Sequence, residues 1–258
     1  MHYRLATTVI LILLYGCATT GSAVKSEQES AKEEFEDAMK SLKGGYYQEA
    51  LDKFNKVKAK YPFSIYATEA ELKIGDVYFE DEKYLDAAES YSEFLKLHPS
   101  SPMADYASFR IALSYYRDAP SDWFFLPPAY EKDQTSLLKA RDAFYEFLTK
   151  YKGSKYEREA KGYLEEVNKK LIKHDLYVAK FYLKRKKFEA TENRMRGIIN
   201  KYGYQEGMDE ALYLLCYSLY LQNKTEDFDK ALKDMNKNFP KSKYLMKLRD
   251  IIKSNRKG

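Results

Sequence analysis

Four short segments of this chain are variants of one signal: "YPFSIY" at 61–66, "HPSSPM" at 98–103, "YKGSKY" at 151–156 and "FPKSKY" at 239–244. In each, an aromatic residue or His precedes Pro or a stand-in, and Ser follows two places later. Proline cannot continue a helix, and Ser at the next N-cap accepts a bond from a free backbone N–H. Each segment therefore stops one helix and starts another. "YGYQEG" at 202–207 is a weaker fifth copy, with Gly203 in the proline position. Pro62 to Pro99 is 37 residues, and so is Gly203 to Pro240. The two middle intervals, Pro99 to Lys152 and Lys152 to Gly203, are 16 and 14 residues longer than that pitch. One helical pair cannot bury its apolar face alone, whereas a stack of pairs builds a continuous core. The sequence thus predicts an all-α solenoid of five helical hairpins. Only 11 Gly and 7 Pro in 258 residues agree with helices rather than strands and tight turns.

The two long intervals predict different things. Within "DAPSDWFFLPPAYEKDQTS", 118–136, three prolines make the extra residues a loop. Within 154–186 there is no proline, a Ser starts the run and basic residues end it, which reads as one long helix. Fourteen residues are close to four turns, so both ends keep nearly the same face. This helix would join an N-terminal block of three repeats (27–153) to a C-terminal block of two (154–258).

The N-terminus fixes an address. Arg4 precedes an apolar run from Leu5 to Tyr15, the layout of a secretory signal peptide over 1–16. Eleven residues reach only about 16 Å as a helix, too short for a hydrocarbon core of about 30 Å. Leu14-Tyr15-Gly16-Cys17 resembles the bacterial lipoprotein box, which implies diacylglycerol and an N-acyl chain on Cys17 and no other cofactor. Ala18 at the next position favours the outer membrane. The small, polar stretch 17–26 reads as a flexible tether. Positive and negative residues interleave along the chain, as on solvated helix faces, so the net charge of +5 marks no nucleic-acid surface.

The 37-residue helical pair resembles the tetratricopeptide (TPR) family. Gly45, Tyr47, Ala50, Phe54 and Pro62 fit its first repeat, and Gly75, Tyr78, Tyr84, Ala87, Tyr91 and Pro99 its second. Ala112, Tyr115, Ala140, Phe144 and Phe147 fit the third; Ala179, Tyr182, Phe188 and Ile198 fit the fourth, with Thr191 in place of a small Ala. Five repeats, a lipoprotein box, a loop in repeat three and a long joining helix together resemble the BamD (ComL) family of barrel-assembly lipoproteins. "YVAKFYLKRKKFEATENRMRGIINKY", 177–202, and the paired Phe124 and Phe125 carry that likeness locally.

The resemblance implies a periplasmic scaffold that binds the periplasmic domains of BamA and unfolded outer-membrane barrel precursors, with other Bam lipoproteins as further partners. TPR grooves are lined by the first helix of each repeat. On this chain that stripe is Phe35, Met39 and Leu42, then Leu72 and Phe79, then Tyr106, Phe109, Leu113 and Tyr116, with Arg117 beside it. Stacked rings and a guanidinium suit a precursor end that is aromatic and carries a free carboxylate. The same residues would equally serve as solenoid core. For the BamA surface the resemblance points to Asn193 and Arg194, an arginine fork suited to a carboxylate or carbonyl. Trp123, Phe124 and Phe125 would tuck back onto repeat three or form a second contact.

Catalysis needs convergent groups of matched pKa. The three histidines are scattered, and His2 leaves with the signal. No Cys–His cluster and no Gly-x-Ser-x-Gly elbow occurs in the sequence. A peptidoglycan-acting enzyme and a pilotin-type TPR lipoprotein that guides secretins are the competing readings.

Overall fold

The computed structural model describes residues 18–122, 127–205 and 207–255, with side chains from 27 onward. All regular structure among them is helical. The helices are α1 (Ala18–Lys43), α2 (Tyr47–Lys60), α3 (Ile65–Glu80), α4 (Tyr84–Leu97), α5 (Ala104–Asp118), α6 (Thr135–Lys150) and α7 (Glu157–Lys184). They continue as α8 (Phe188–Tyr202), α9 (Met208–Leu221), α10 (Thr225–Asn238) and α11 (Lys243–Asn255), with a 3₁₀ turn at Ala129–Glu131.

The repeated signal works as a turn and a cap at once. Ser64, Ser101, Ser154 and Ser242 each donate a backbone N–H to the carbonyl three residues earlier. Each hydroxyl then accepts the N–H two residues later, opening α3, α5, α7 and α11. Three of these hydroxyls also donate to a first helix of the same unit: Ser64 to Gln28, Ser154 to Asp105 and Ser242 to Asp209. The serine therefore ties neighbouring elements together, which a cap alone would not do.

The turns inside the hairpins share a second signal. Gly45, Glu82, Lys186 and Asn223 all have positive φ near 60–76°. The residue after each donates its N–H to the carbonyl five places back, as in a Schellman motif. Gly45 to Glu82 and Lys186 to Asn223 are again 37 residues apart.

The chain divides into two compact units, Met1–Asp118 with Asp142–Lys161, and Ala119–Arg141 with Gly162–Gly258. The core of the first includes Phe35, Phe54, Val57, Leu72, Tyr91, Phe94 and Phe109. That of the second is built on Leu212, Leu215, Cys216, Leu219, Met195 and Leu248. Gly75 shows why a small residue is needed: a Cβ there would lie 2.6 Å from the fully buried Tyr91 ring.

Two expectations are corrected. Residues 18–26 belong to α1 and are not a loose tether. Extending a helix already formed by the Ala-, Glu- and Lys-rich run 25–43 is far easier than starting one. The compact units also divide the chain differently from the repeat blocks: they part inside α6, after Arg141, and inside α7, after Lys161, and the insertion falls in the second unit. Its described flank docks there: the Tyr130 carbonyl lies 2.7 Å from His174 Nδ1, and the Tyr130 ring lies 5.3 Å from Tyr177. Trp123, Phe124 and Phe125 lie outside the described residues.

Candidate binding sites in the two units

In the first unit, the stripe of first-helix residues splits in two. Phe35, Leu72, Phe109 and Leu113 are buried and do not line an open groove. Phe35 packs on Phe54 and Tyr66, and Phe109 stacks on Tyr156 at 5.0 Å. A large apolar side chain on a first helix gains more by filling the space under the adjacent helices than by staying wet. Met39, Leu42, Phe79, Tyr106 and Tyr116 remain half-buried, and Arg117 is exposed.

Around Phe79 and Tyr106 lies a polar cluster that the stripe did not include. Asp76 is buried on α3, one residue after the glycine that admits Tyr91. Its carboxylate accepts hydrogen bonds from Tyr91 (2.5 Å), Tyr106 (2.6 Å) and Lys73 (2.7 Å). Arg110 Nε donates to the Tyr91 hydroxyl at 3.0 Å, and its guanidinium sits 3.8 Å above the Phe79 ring. Burial first, and the Asp76 charge second, push both phenols well above their ordinary pKa, so they stay protonated donors. Arg110 Nη2 has no hydrogen-bond partner; Asp76 and Glu80 approach it only to 3.9 and 3.8 Å. The outcome is a cation fixed on an aromatic bed with one donor unmet, beside the half-buried Lys73. In the sequence, Lys73, Asp76, Phe79 and Glu80 recur at helical spacing with Tyr106 and Arg110 on the next first helix, but only the fold shows that they converge.

In the second unit, Asn193 is exposed and Arg194 half-buried on α8. Arg194 Nη1 forms a short ion pair with Asp175 of α7. Next to it, Glu192 is buried and receives Arg196 Nε (3.0 Å), Gln222 (3.1 Å) and Lys224 (2.8 Å). Burial raises the Glu192 pKa and these donors more than offset it, so the group is held below its ordinary value. Thr191, in the place of the small Ala, is buried with its hydroxyl on the Ala179 and Lys187 carbonyls. Consecutive residues thus clamp α8 to its neighbours on two sides and leave Asn193 outward.

No helix among the described residues is long and apolar enough to cross a membrane, and no group of three or more His, Cys, Asp or Glu among them could hold a metal. Cys17 lies outside the described residues.

Stacked helical hairpins with buried inner faces define a TPR-type repeat protein. Residues 27–230 match the family described as YfiO, outer membrane lipoprotein, and the chain belongs to that family. The outer membrane protein assembly factor BamD of Neisseria gonorrhoeae is 26% identical over 257 residues, covering 95% of this chain and 94% of that one. Its namesake from Rickettsia prowazekii is 27% identical over 208 residues, covering 81% and 80%. The structure of the TPR2AB-domain:pHSP90 complex of yeast Sti1 aligns at a TM-score of 0.45, with 11% identity, over 88% of this chain and 85% of that one.

Proposed function

We propose that this chain is a non-catalytic scaffold in outer-membrane protein assembly, held to that membrane by lipid on Cys17. It binds unfolded barrel precursors through the first unit and the periplasmic domains of BamA through the second. Family membership over 27–230 carries the reading. For the precursor, the Lys73, Phe79, Tyr106 and Arg110 cluster replaces the wider stripe as the contact. A terminal carboxylate would meet the half-buried Lys73 ammonium, while an aromatic side chain would extend the Phe79 and Tyr106 surface. For BamA, the Asp175 partner fixes the Arg194 fork in direction, so that an approaching acceptor finds it preorganised beside Asn193.

A peptide ending in an aromatic residue with a free carboxylate should bind the full chain about tenfold more tightly than its C-terminal amide, near 1.4 kcal/mol. Lys73→Met should narrow that difference. Equal affinities for acid and amide, read by calorimetry, would remove the carboxylate contact. Labelled acyl chains that remain on a Cys17→Ser variant would remove the anchor.

A further inference from the structure

The turn between α2 and α3 carries an unusual pair of side chains. Phe63 is 94% exposed and Ile65 is 63% exposed. The chain there is not slack. Tyr61 is buried and donates its hydroxyl to Glu34 (2.9 Å), Ser64 is buried and bonded to Gln28, and the Ser64 N–H closes the turn on the Tyr61 carbonyl. A rigid turn that turns a phenylalanine outward leaves apolar surface in water, where it gains nothing unless something covers it.

The direction in which the turn points is given by the pairing of α1 with α2. Lys53 meets Asp37, Lys60 and Tyr61 meet Glu34, and Ser64 meets Gln28. The helices run antiparallel, so the turn lies toward the residue-18 end of α1. From Gln28 to Ala18 is ten residues, about 15 Å of helix. The proposed lipid-bearing Cys17 immediately precedes Ala18. The next turn of the same kind also presents apolar side chains, Leu97 at 56% and Met103 at 39%. It is joined to the first by Glu71, which receives Lys58 of α2 at 3.8 Å and lies 2.6 Å from His98 Nε2.

From this we infer that the 61–65 turn is a membrane-contact tip: Phe63 and Ile65 enter the interfacial layer of the bilayer to which Cys17 is tethered. The inference rests on the acylation of Cys17 proposed above. An acyl anchor alone fixes distance and leaves orientation open. A second apolar contact at the same end of α1 sets which edge of the first unit faces the lipid, in the way that stable peripheral attachment commonly uses two signals.

The test uses the full lipidated chain reconstituted in vesicles of phosphatidylethanolamine and phosphatidylglycerol. An environment-sensitive dye is placed at Phe63→Cys or, as control, at the exposed Tyr204→Cys; Cys216 is buried and does not compete. Brominated lipids should quench the dye at 63 at least twofold and leave position 204 unchanged, with a blue shift only at 63. Quenching at 63 no greater than at 204 overturns the inference. A blue shift at 63 without quenching means that protein, not lipid, covers the tip, and overturns it too. The mass of the N-terminal peptide from the same sample separates the two failures. An acylated chain with a wet residue 63 rejects the tip alone, whereas a chain without acyl mass rejects the anchor beneath it.

Discussion

Gly75 and Tyr91 show how one small residue organises a buried polar cluster. The missing Cβ lets the Tyr91 ring lie against α3, and that placement brings its hydroxyl to Asp76 and to Arg110. Gly75→Ala would put a methyl group 2.6 Å from a ring that is fully buried and bonded at its far end, so the ring cannot yield. The expected cost is about 2 kcal/mol of stability, measured by denaturant unfolding, together with loss of peptide binding. Unchanged stability would mean that the helices part freely here. Glu34 makes a different prediction. The Lys60 hydrogen bond, helped by Lys56 and Tyr61 against the opposing effect of burial, draws its pKa from 4.5 to about 2. Its carboxylate therefore stabilises the fold above pH 4.5, and that contribution is lost as pH falls from there through about 2. Glu34→Gln should cost roughly 0.5 kcal/mol at pH 7, the scale of a solvent-exposed pair. The gap in Tm should close as pH drops through that window; a gap that stays constant to pH 3 would assign it to something other than charge.

At the scale of elements, the helices and their pitch were legible because proline and serine act locally. A residue that cannot continue a helix, beside one that caps the next, needs no tertiary knowledge to interpret. The left-handed turns were not legible, because three of the four use Glu82, Lys186 and Asn223 rather than the glycine that would have marked them. The buried half of the groove stripe was misplaced for a related reason: helical periodicity gives a face, and only the neighbouring helices decide whether Phe109 on that face meets solvent or Tyr156. Asp76 and Arg110 were missed because their convergence depends on how α3, α4 and α5 stack. The turns lead to a test. A non-glycine residue in the left-handed region costs about 1 kcal/mol relative to glycine. Glu82→Gly and Lys186→Gly should each stabilise the chain by roughly 0.5–1 kcal/mol, seen as a higher urea midpoint at constant slope. Destabilisation by either would show that the side chain, not the backbone, holds that turn.

At the scale of the whole molecule, the two cysteines report on opposite fates. Cys216 sits in the core of the second unit, and burial pushes its thiol up to about 12. At pH 8 it is neither ionised nor reachable, and both properties suppress reaction with disulfide reagents. Cys17, if acylated as proposed, carries no thiol at all. Chain purified from membranes should therefore titrate with no reactive thiol when native and one when unfolded in guanidinium. The native value tests the packing of the second unit, since a reactive Cys216 would require α9 to open at equilibrium. The unfolded value tests the anchor, since two thiols per chain would leave Cys17 unmodified and detach the scaffold from the bilayer. Because one measurement reads the fold and the other the lipid, a failure of either leaves the other intact.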